Sequence, residues 1–201
     1  MTGKQIVVLG AGYAGLAAAT RAGRTHRVTL VAPEERFVHR IRRHETAAGR
    51  GGQWPTVAHL LRGRQVEHRQ ARAVPELAAE AGLTVDGAGR AVVDDRLRSV
   101  SHPDVHVIGD AAAVTVPGIG TLRMGCATAL PQGRYLGRLL VGQTVKPFGY
   151  RYAVQCLSLG RRDGLLQLIH PDDSMRPTVL TGTAARLAKT AIAGGVLATV
   201  R

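Results

Sequence analysis

The sequence contains few of the residues that mark several common classes of protein. It has two cysteines, Cys126 and Cys156, and they do not form a C-x-x-C pair. This spacing argues against both a zinc site and a redox dithiol. Aromatic residues make up only 3% of the chain, which is too few for a base-stacking platform. No apolar run reaches the roughly 18 residues that a transmembrane helix needs.

Acidic residues are also scarce, since 14 Asp and Glu face 27 Lys and Arg, giving a formal net charge of +13. A charge of this size is typical of proteins that bind nucleic acid or an anionic membrane surface. Here the positive residues are almost all arginine and are scattered, and no nucleic-acid-binding motif accompanies them. We therefore expect no nucleic-acid partner and no peripheral membrane contact. The 45% of hydrophobic residues indicates a folded core in a chain long enough for one large domain.

The strongest motif lies at the start of the chain. Residues 4–9 form a short apolar run rich in β-branched residues, which predicts a fully buried parallel strand. Gly10, Gly12 and Gly15 follow with G-x-G-x-x-G spacing, and small apolar residues then continue as a helix. In a dinucleotide-binding fold these glycines permit a tight turn, a close approach of pyrophosphate and close helix packing. Because this motif starts almost at the first residue and no signal peptide precedes it, we expect a cytoplasmic protein.

A second buried strand is predicted at residues 27–32, which completes a βαβ unit. An acidic residue beyond this strand usually binds the adenosine ribose, and Glu34 and Glu35 are the candidates. The alternative is a solvated acidic turn. Residues 37–45 are basic and are predicted as a short helix before a glycine-rich loop. His39 and His44 are not spaced as metal ligands, so a polar contact at a site or simple exposure is expected for them.

The rest of the chain predicts further α/β structure. Residues 83–94 indicate a hairpin, and residues 101–112 indicate another buried strand that ends at Gly109 and Asp110. Asp110 therefore falls at the carboxyl end of a strand, where open α/β sheets bind ligands. A helix is predicted at residues 125–140. The remainder predicts strands at 154–159 and 165–169 and a last helix at 183–192.

These segments together resemble the pyridine nucleotide–disulfide oxidoreductase superfamily, and within it the type II NADH dehydrogenase-like group of FAD-dependent enzymes. The resemblance rests on three stretches: VVLGAGYAGLAAA with VTLVAPEERFVHRIRRHE, then GLTVDGAGRAVVDDRLRSVSHPDVHVIGDAAA, then LRMGCATALPQGRYLGRLL. It implies an α/β, Rossmann-like FAD-binding domain with a parallel sheet, helices and a β-hairpin, followed by a small α+β segment.

The resemblance also implies roles for the positions that match the family's cofactor-binding residues. These are Gly10, Gly12, Tyr13, Ala14 and Gly15 for the pyrophosphate, Glu34 or Glu35 for the ribose, Ala73 for the adenine, Gly109 and Asp110 for the ribityl chain, and Cys126 and Ala127 for the isoalloxazine edge. Arg42 and Arg43 either line the flavin and its phosphates or form a solvated basic face.

One departure from the family affects the expected domain organisation. Its members carry a second βαβ domain for NAD(P)H between the two FAD-binding halves, and such a unit needs about 30 residues. Here the two halves join directly near residues 75–100. We therefore expect an FAD-binding domain over residues 1–145 that lacks the nicotinamide domain, with residues 146–201 packed on it as a segment that offers an oligomer interface.

Three functions remain open at this stage. The first is an FAD-dependent oxidoreductase acting on a small planar, quinone-like molecule, with its flavin reduced by substrate, free NAD(P)H or a partner reductase. The second is an FAD-dependent enzyme without net redox chemistry, a cyclase or isomerase, in which Arg42, Arg43 and His44 supply acid–base groups. The third is a non-catalytic flavin-binding protein that associates through newly exposed apolar surface, so that a homo-oligomer is expected.

Overall fold

The structure is a computed structural model that describes residues 3–43, 54–72, 76–158 and 163–199. The strands are β1 (Gln5–Leu9), β2 (Arg27–Val31), β3 (Val66–Arg69), β4 (Ala91–Val92), β5 (Ala112–Ala113), β6 (Thr115–Val116), β7 (Gly120–Thr121), β8 (Val154–Ser158), β9 (Gly164–Ile169) and β10 (Met175–Thr181). The helices are α1 (Tyr13–Ala22), α2 (Val57–Leu60), α3 (Leu77–Glu80), α4 (Cys126–Leu140) and α5 (Gly182–Thr199), and Arg40–Arg42 and Gly109–Ala111 are 3₁₀ turns.

The first three strands form a parallel sheet in the order β1-β2-β3, and α1 connects the first two. This confirms the predicted α/β, Rossmann-like class. The prediction that β1 is fully buried is wrong, because Val7 and Leu9 are 60% and 53% exposed. Their neighbours Ile6 and Val8 pack against the core on the other face. Successive strand residues point to opposite faces, so the sheet buries one face and leaves the other largely open.

Helices α1 and α4 pack so closely that their contact depends on glycine. A methyl group at Gly133 would lie 2.8 Å from the Cα atom of Ala14, and one at Gly137 would lie 2.9 Å from the Cβ atom of Arg21. The first core surrounds this contact, and α5 contributes Val196 to it. The other buried members of the first core are Tyr13, Ala14, Leu16, Ala17, Ala19, Ala22, Val28, Leu30, Phe37, Val57, Leu60, Leu61, Ala129 and Leu130.

The middle of the chain differs in one respect from its prediction. The hairpin at 83–94 is confirmed by an antiparallel bridge between Val85 and Ala91. The buried strand predicted at 101–112 is wrong in extent, since only β5 is a strand there and Val105 is 40% exposed. Residues 105–107 instead run antiparallel to residues 97–99, with the Ser99 amide donating to the Val105 carbonyl. An apolar run fits either neighbour, so the sequence pattern does not specify which one it pairs with.

The last part of the chain is an antiparallel sheet in the order β10-β9-β8, on which α5 packs. The strands predicted at 154–159 and 165–169 are confirmed as β8 and β9, whereas β10 was not predicted. All seven residues of β10 are exposed and it contains Pro177, so it lacks an alternating pattern. Helix α5 extends well past the predicted end at residue 192. Within the described ranges, no helix combines the length and apolar character that crossing a membrane requires.

A second core joins the hairpin region to this last part of the chain. Its buried members are larger on average than those of the first core, and they include the aromatic rings of Phe148 and Tyr152. The other members are Val93, Leu97, Ala112, Val114, Val116, Leu122 and Ile169. Residues from before and after position 145 thus share one apolar cluster.

Candidate functional site

The turn between β1 and α1 presents open backbone at its centre. Gly10 adopts a φ of +94°, and its amide donates to the Val31 carbonyl over 2.7 Å, so the turn lies beside the end of β2. A methyl group at Gly15 would collide with the carbonyl oxygen of Gly10. By contrast, a methyl group at Gly12 would meet no atom within 4 Å. The turn is therefore tight at Gly15, on its inner side, and leaves the backbone of Gly12 uncovered.

Gly109 and Asp110 lie against this turn. Gly109 has a φ of +74°, and a methyl group there would be 3.2 Å from the Cβ atom of Ala14 and 3.8 Å from that of Ala129. Its amide donates to the buried side chain of Gln132 over 2.7 Å. The structure therefore brings Gly109 to the first turn of α1 and places α4 beside it. The prediction that Asp110 ends a strand is wrong, because Gly109–Ala111 is a 3₁₀ turn that precedes β5.

Asp110 fixes the start of α4. Its Oδ1 atom accepts a 2.9 Å hydrogen bond from the amide of Gly125, the residue that precedes the helix. Thr128, one turn later, donates its hydroxyl to the carbonyls of Arg123 and Gly125. Hydrogen bonds therefore hold the N-terminal end of α4, with its free amides, beside the carboxylate of Asp110.

Cys126 and Ala127 form the first turn of α4. Burial raises the pKa of the Cys126 thiol, and the nearby Cys156 thiol raises it further. The two cysteines are both unbridged and half-buried. Because a raised pKa keeps the thiol protonated at neutral pH, Cys126 is not prepared to act as a thiolate nucleophile.

The other residues predicted for the site have fewer contacts with the glycine turn, or lie outside the described residues. Glu34 and Glu35 lie in an exposed turn beyond β2, and the Glu35 carbonyl accepts from the Val57 amide. This turn adjoins the glycine turn through the end of β2, but a solvated acidic turn describes it equally well. Arg43 is exposed. His44 and Ala73 lie outside the residues that the structure describes.

A buried aromatic cluster at this site was not predicted from the sequence. The Tyr13 hydroxyl lies 2.8 Å from Nδ1 of His39, and His39 is only 2% exposed. The Phe37 ring packs edge-on against Tyr13, with 5.3 Å between centroids, and Trp54 packs edge-on against His39 at 4.8 Å. Burial raises the pKa of Tyr13 to about 12. A single sequence carries no signal for these contacts, because they join residues from three separate segments.

Arg42 belongs to the same cluster. Its guanidinium lies 5.8 Å from the centroid of the Trp54 ring, at the distance of a cation–π contact. The side chain is half-buried. Arg42 therefore packs against Trp54 and is only partly solvated.

An open cavity of about 670 Å³ lies between the loop after β6, the segment before β8 and the turn after β9. Its lining includes Pro117, Ile119, Tyr150, Arg151 and Asp172. Burial raises the pKa of Tyr150, whose phenol also interacts electrostatically with Cys126. Sequence reasoning missed this cavity, since its walls come from distant loops. Among the described residues, no group of His, Cys, Asp and Glu side chains is arranged to hold a metal ion.

Comparison with known proteins gives similarity at the level of solved structures alone. No protein-family model matches the sequence, and no curated protein matches it. The ferredoxin reductase of the CYP199A2 system from Rhodopseudomonas palustris is 24% identical with a TM-score of 0.38, over 83% of this chain and 48% of that one. An FAD-dependent pyridine nucleotide-disulphide oxidoreductase from Desulfovibrio vulgaris is 19% identical with a TM-score of 0.37, over 97% of this chain and 64% of that one.

An NAD-dependent persulfide reductase from A. fulgidus is similar to the same extent. It is 19% identical with a TM-score of 0.40, over 82% of this chain and 36% of that one. The chain thus spans less than two thirds of the length of each of these three proteins. At these values the comparisons transfer no residue's role to this chain.

Proposed function

We propose that this chain is an FAD-binding oxidoreductase that acts on a small planar molecule. The observation that carries the proposal is that the turn at Gly109 and Asp110 contacts the N-terminal ends of both α1 and α4. Gly109 lies against Ala14, and Asp110 binds the amide that precedes α4. An extended dinucleotide needs a pyrophosphate site and a carboxylate for its sugar-like chain along one crevice, and these groups are in the right order for it.

Each part of this crevice suits one part of FAD. The open backbone at Gly12 and the amides of the first turn of α1 would bind the pyrophosphate, because helix N-termini attract anions. Asp110 would accept hydrogen bonds from ribityl hydroxyl groups. Glu34 or Glu35 would bind the adenosine ribose. The start of α4, at Cys126 and Ala127, would lie along the isoalloxazine edge.

When bound, the flavin supplies hydride and electron transfer, while the chain supplies orientation and electrostatics. The amides at the start of α4 would stabilise negative charge that develops on the nearby ring edge. The cavity beside Tyr150 would hold the small molecule. Its Tyr150 hydroxyl and Arg151 guanidinium are hydrogen-bond donors suited to a carbonyl oxygen, and Pro117 and Ile119 are suited to a planar apolar body.

The electron donor is proposed to come from outside the chain. Between the end of β3 at Arg69 and the bridge at Val85, the sequence is too short for another βαβ unit. Free NAD(P)H, the reduced substrate or a partner reductase would then reduce the flavin.

The experiment is an anaerobic reduction of the FAD-loaded chain. NADH, NADPH, a reduced quinone and dithionite are added separately while the visible flavin absorption is recorded. We expect dithionite and at least one biological donor to bleach the bound flavin at a rate that rises with donor concentration. A bound flavin that neither nicotinamide nor a reduced quinone bleaches would contradict the oxidoreductase proposal. Turnover that requires bound FAD but consumes neither an electron donor nor an acceptor would favour the non-redox alternative.

A further inference from the structure

The basic segment at residues 37–43 makes contacts with two other parts of the chain. On one side its backbone and His39 contact Tyr13, the first residue of α1. On the other side it contacts residues 54–55. These contacts join the Arg40–Arg42 turn to the side chain of the first residue of α1, the helix whose N-terminal end is the proposed pyrophosphate site.

The contact with Tyr13 is a buried polar network. The Tyr13 hydroxyl lies 2.8 Å from His39 Nδ1, and the Ile41 amide donates to the same hydroxyl over 3.4 Å. A tyrosine whose pKa is about 12 keeps its proton at neutral pH. The hydroxyl accepts from the Ile41 amide and still has one hydrogen and one further lone pair, so it can pair with Nδ1 of His39 in either tautomer. Both side chains are less than a tenth exposed, so this network has little competition from water.

The contact on the other side fixes Trp54. Arg36 donates from Nη1 to the Trp54 carbonyl over 3.0 Å, and the Phe37 amide donates to the Pro55 carbonyl over 3.0 Å. The Trp54 ring then packs against His39 and lies below the Arg42 guanidinium. Arg42 and the backbone of its turn are thus both tied to the Tyr13–His39 pair.

We propose that Tyr13 and His39 are a positioning pair that holds the Arg40–Arg42 turn beside the first turn of α1, so that arginine side chains and helix amides bind one pyrophosphate together. The inference rests on the proposed function, because it assigns the pair to the phosphate part of the same crevice. Arg40 is close enough to Tyr13 for its positive charge to counter the burial-driven rise of the tyrosine pKa. Charge-assisted hydrogen bonds from arginine are the strong contacts for phosphate, and they require a fixed donor position.

The test compares Tyr13→Phe with Tyr135→Phe. Both variants keep the aromatic ring and remove a hydroxyl, but the Tyr135 hydroxyl is buried and has no hydrogen-bond partner among the described residues. Calorimetric titration with FAD, ADP and riboflavin separates phosphate binding from ring binding. We expect Tyr13→Phe to weaken FAD and ADP binding about tenfold, the scale of one lost hydrogen bond, with riboflavin affinity unchanged. Tyr135→Phe is expected to leave all three affinities unchanged.

Hydrogen exchange in the absence of ligand provides a second readout. We expect the Ile41 amide to exchange faster in Tyr13→Phe than in the parent chain or in Tyr135→Phe, while amides in α4 keep their protection. Unchanged exchange at Ile41, or equal weakening of riboflavin and ADP, would overturn the positioning role. A parent chain that binds no FAD would contradict the proposed function. The ADP titration still tests the positioning role of Tyr13 and His39 in that case. No ADP binding by the parent chain, or equal ADP affinity in the parent chain and in Tyr13→Phe, would contradict that role.

Discussion

The two cores of this chain differ in their share of small side chains, since among the described residues the first buries five alanines and the second one. In the first core α1 and α4 touch through glycine and alanine, so that backbone lies against backbone at Gly133 and Ala14. In the second core, rings such as Phe148 and Tyr152 fill the space, and Arg123 ties them to neighbouring loops. Small residues let Gly109 lie against Ala14 in the first turn of α1, whereas the open cavity lies beside the second core and shares Val116 with it. The comparison links each packing style to a different part of the proposed site.

The largest expected effect comes from adding one methyl group to a helical glycine in the first core, compared with one at an exposed helical glycine. Gly133→Ala places a Cβ atom inside the contact distance of the Ala14 backbone, which has no freedom to move aside. We expect it to lower the free energy of unfolding by about 3 kcal/mol. Gly194→Ala in α5 meets no atom within 4 Å, and we expect it to raise that free energy by about 0.5–1 kcal/mol through helix propensity. Urea unfolding measures both. Equal effects at the two positions would show that close packing does not distinguish α4.

A smaller effect is expected from the arginine that ties the second core together. Arg123 pairs with Asp173 over 2.5 Å, donates to Gln155 over 2.8 Å and covers the Tyr152 ring at 4.8 Å. Its side chain is 43% exposed, so solvent screens the ion pair and most of the effect comes from the ring and amide contacts. We expect Arg123→Ala to lower the free energy of unfolding by about 1.5 kcal/mol.

The matched control for this substitution is Arg69→Ala. Arg69 pairs with Glu67 on an open strand, with side chains 66% and 60% exposed, and we expect no measurable loss of stability. Thermal unfolding of the two variants side by side gives the comparison. If Arg123→Ala is as stable as Arg69→Ala, the contacts of the Arg123 side chain do not stabilise the second core.

The sequence was informative where local chemistry alone decides the structure. Gly10 and Gly15 predict the turn, because Gly10 has a positive φ and a methyl group at Gly15 would collide with the Gly10 carbonyl oxygen. The helix predicted at residues 125–140 is likewise confirmed as Cys126–Leu140. The reason given for Asp110 was wrong, because it lies in the 3₁₀ turn Gly109–Ala111 before β5 and not at the carboxyl end of a strand of the parallel sheet, although its neighbour Gly109 does lie against Ala14.

The sequence was silent where structure depends on distant partners. Residues 105–107 pair with residues 97–99 rather than forming the predicted buried strand, and a short apolar run gives no information on its neighbour. The open face of β1 depends on what covers the sheet rather than on Val7 and Leu9 themselves. The Tyr13–His39 contact joins residues 26 positions apart, so no local period reveals it. Strand β10 is exposed on both faces and leaves no apolar alternation to detect.

The central claim is that the open backbone at Gly12 is the pyrophosphate site of FAD, and one titration tests it most directly. FAD binding is measured for the parent chain, for Gly12→Ala and for Gly87→Ala, since a methyl group at either glycine meets no atom within 4 Å and neither residue has a positive φ. The account predicts one FAD per parent chain, an affinity about 100-fold weaker in Gly12→Ala at unchanged melting temperature, and parental affinity in Gly87→Ala. A parent chain that stays colourless with excess FAD, or equal affinity in Gly12→Ala, would contradict it.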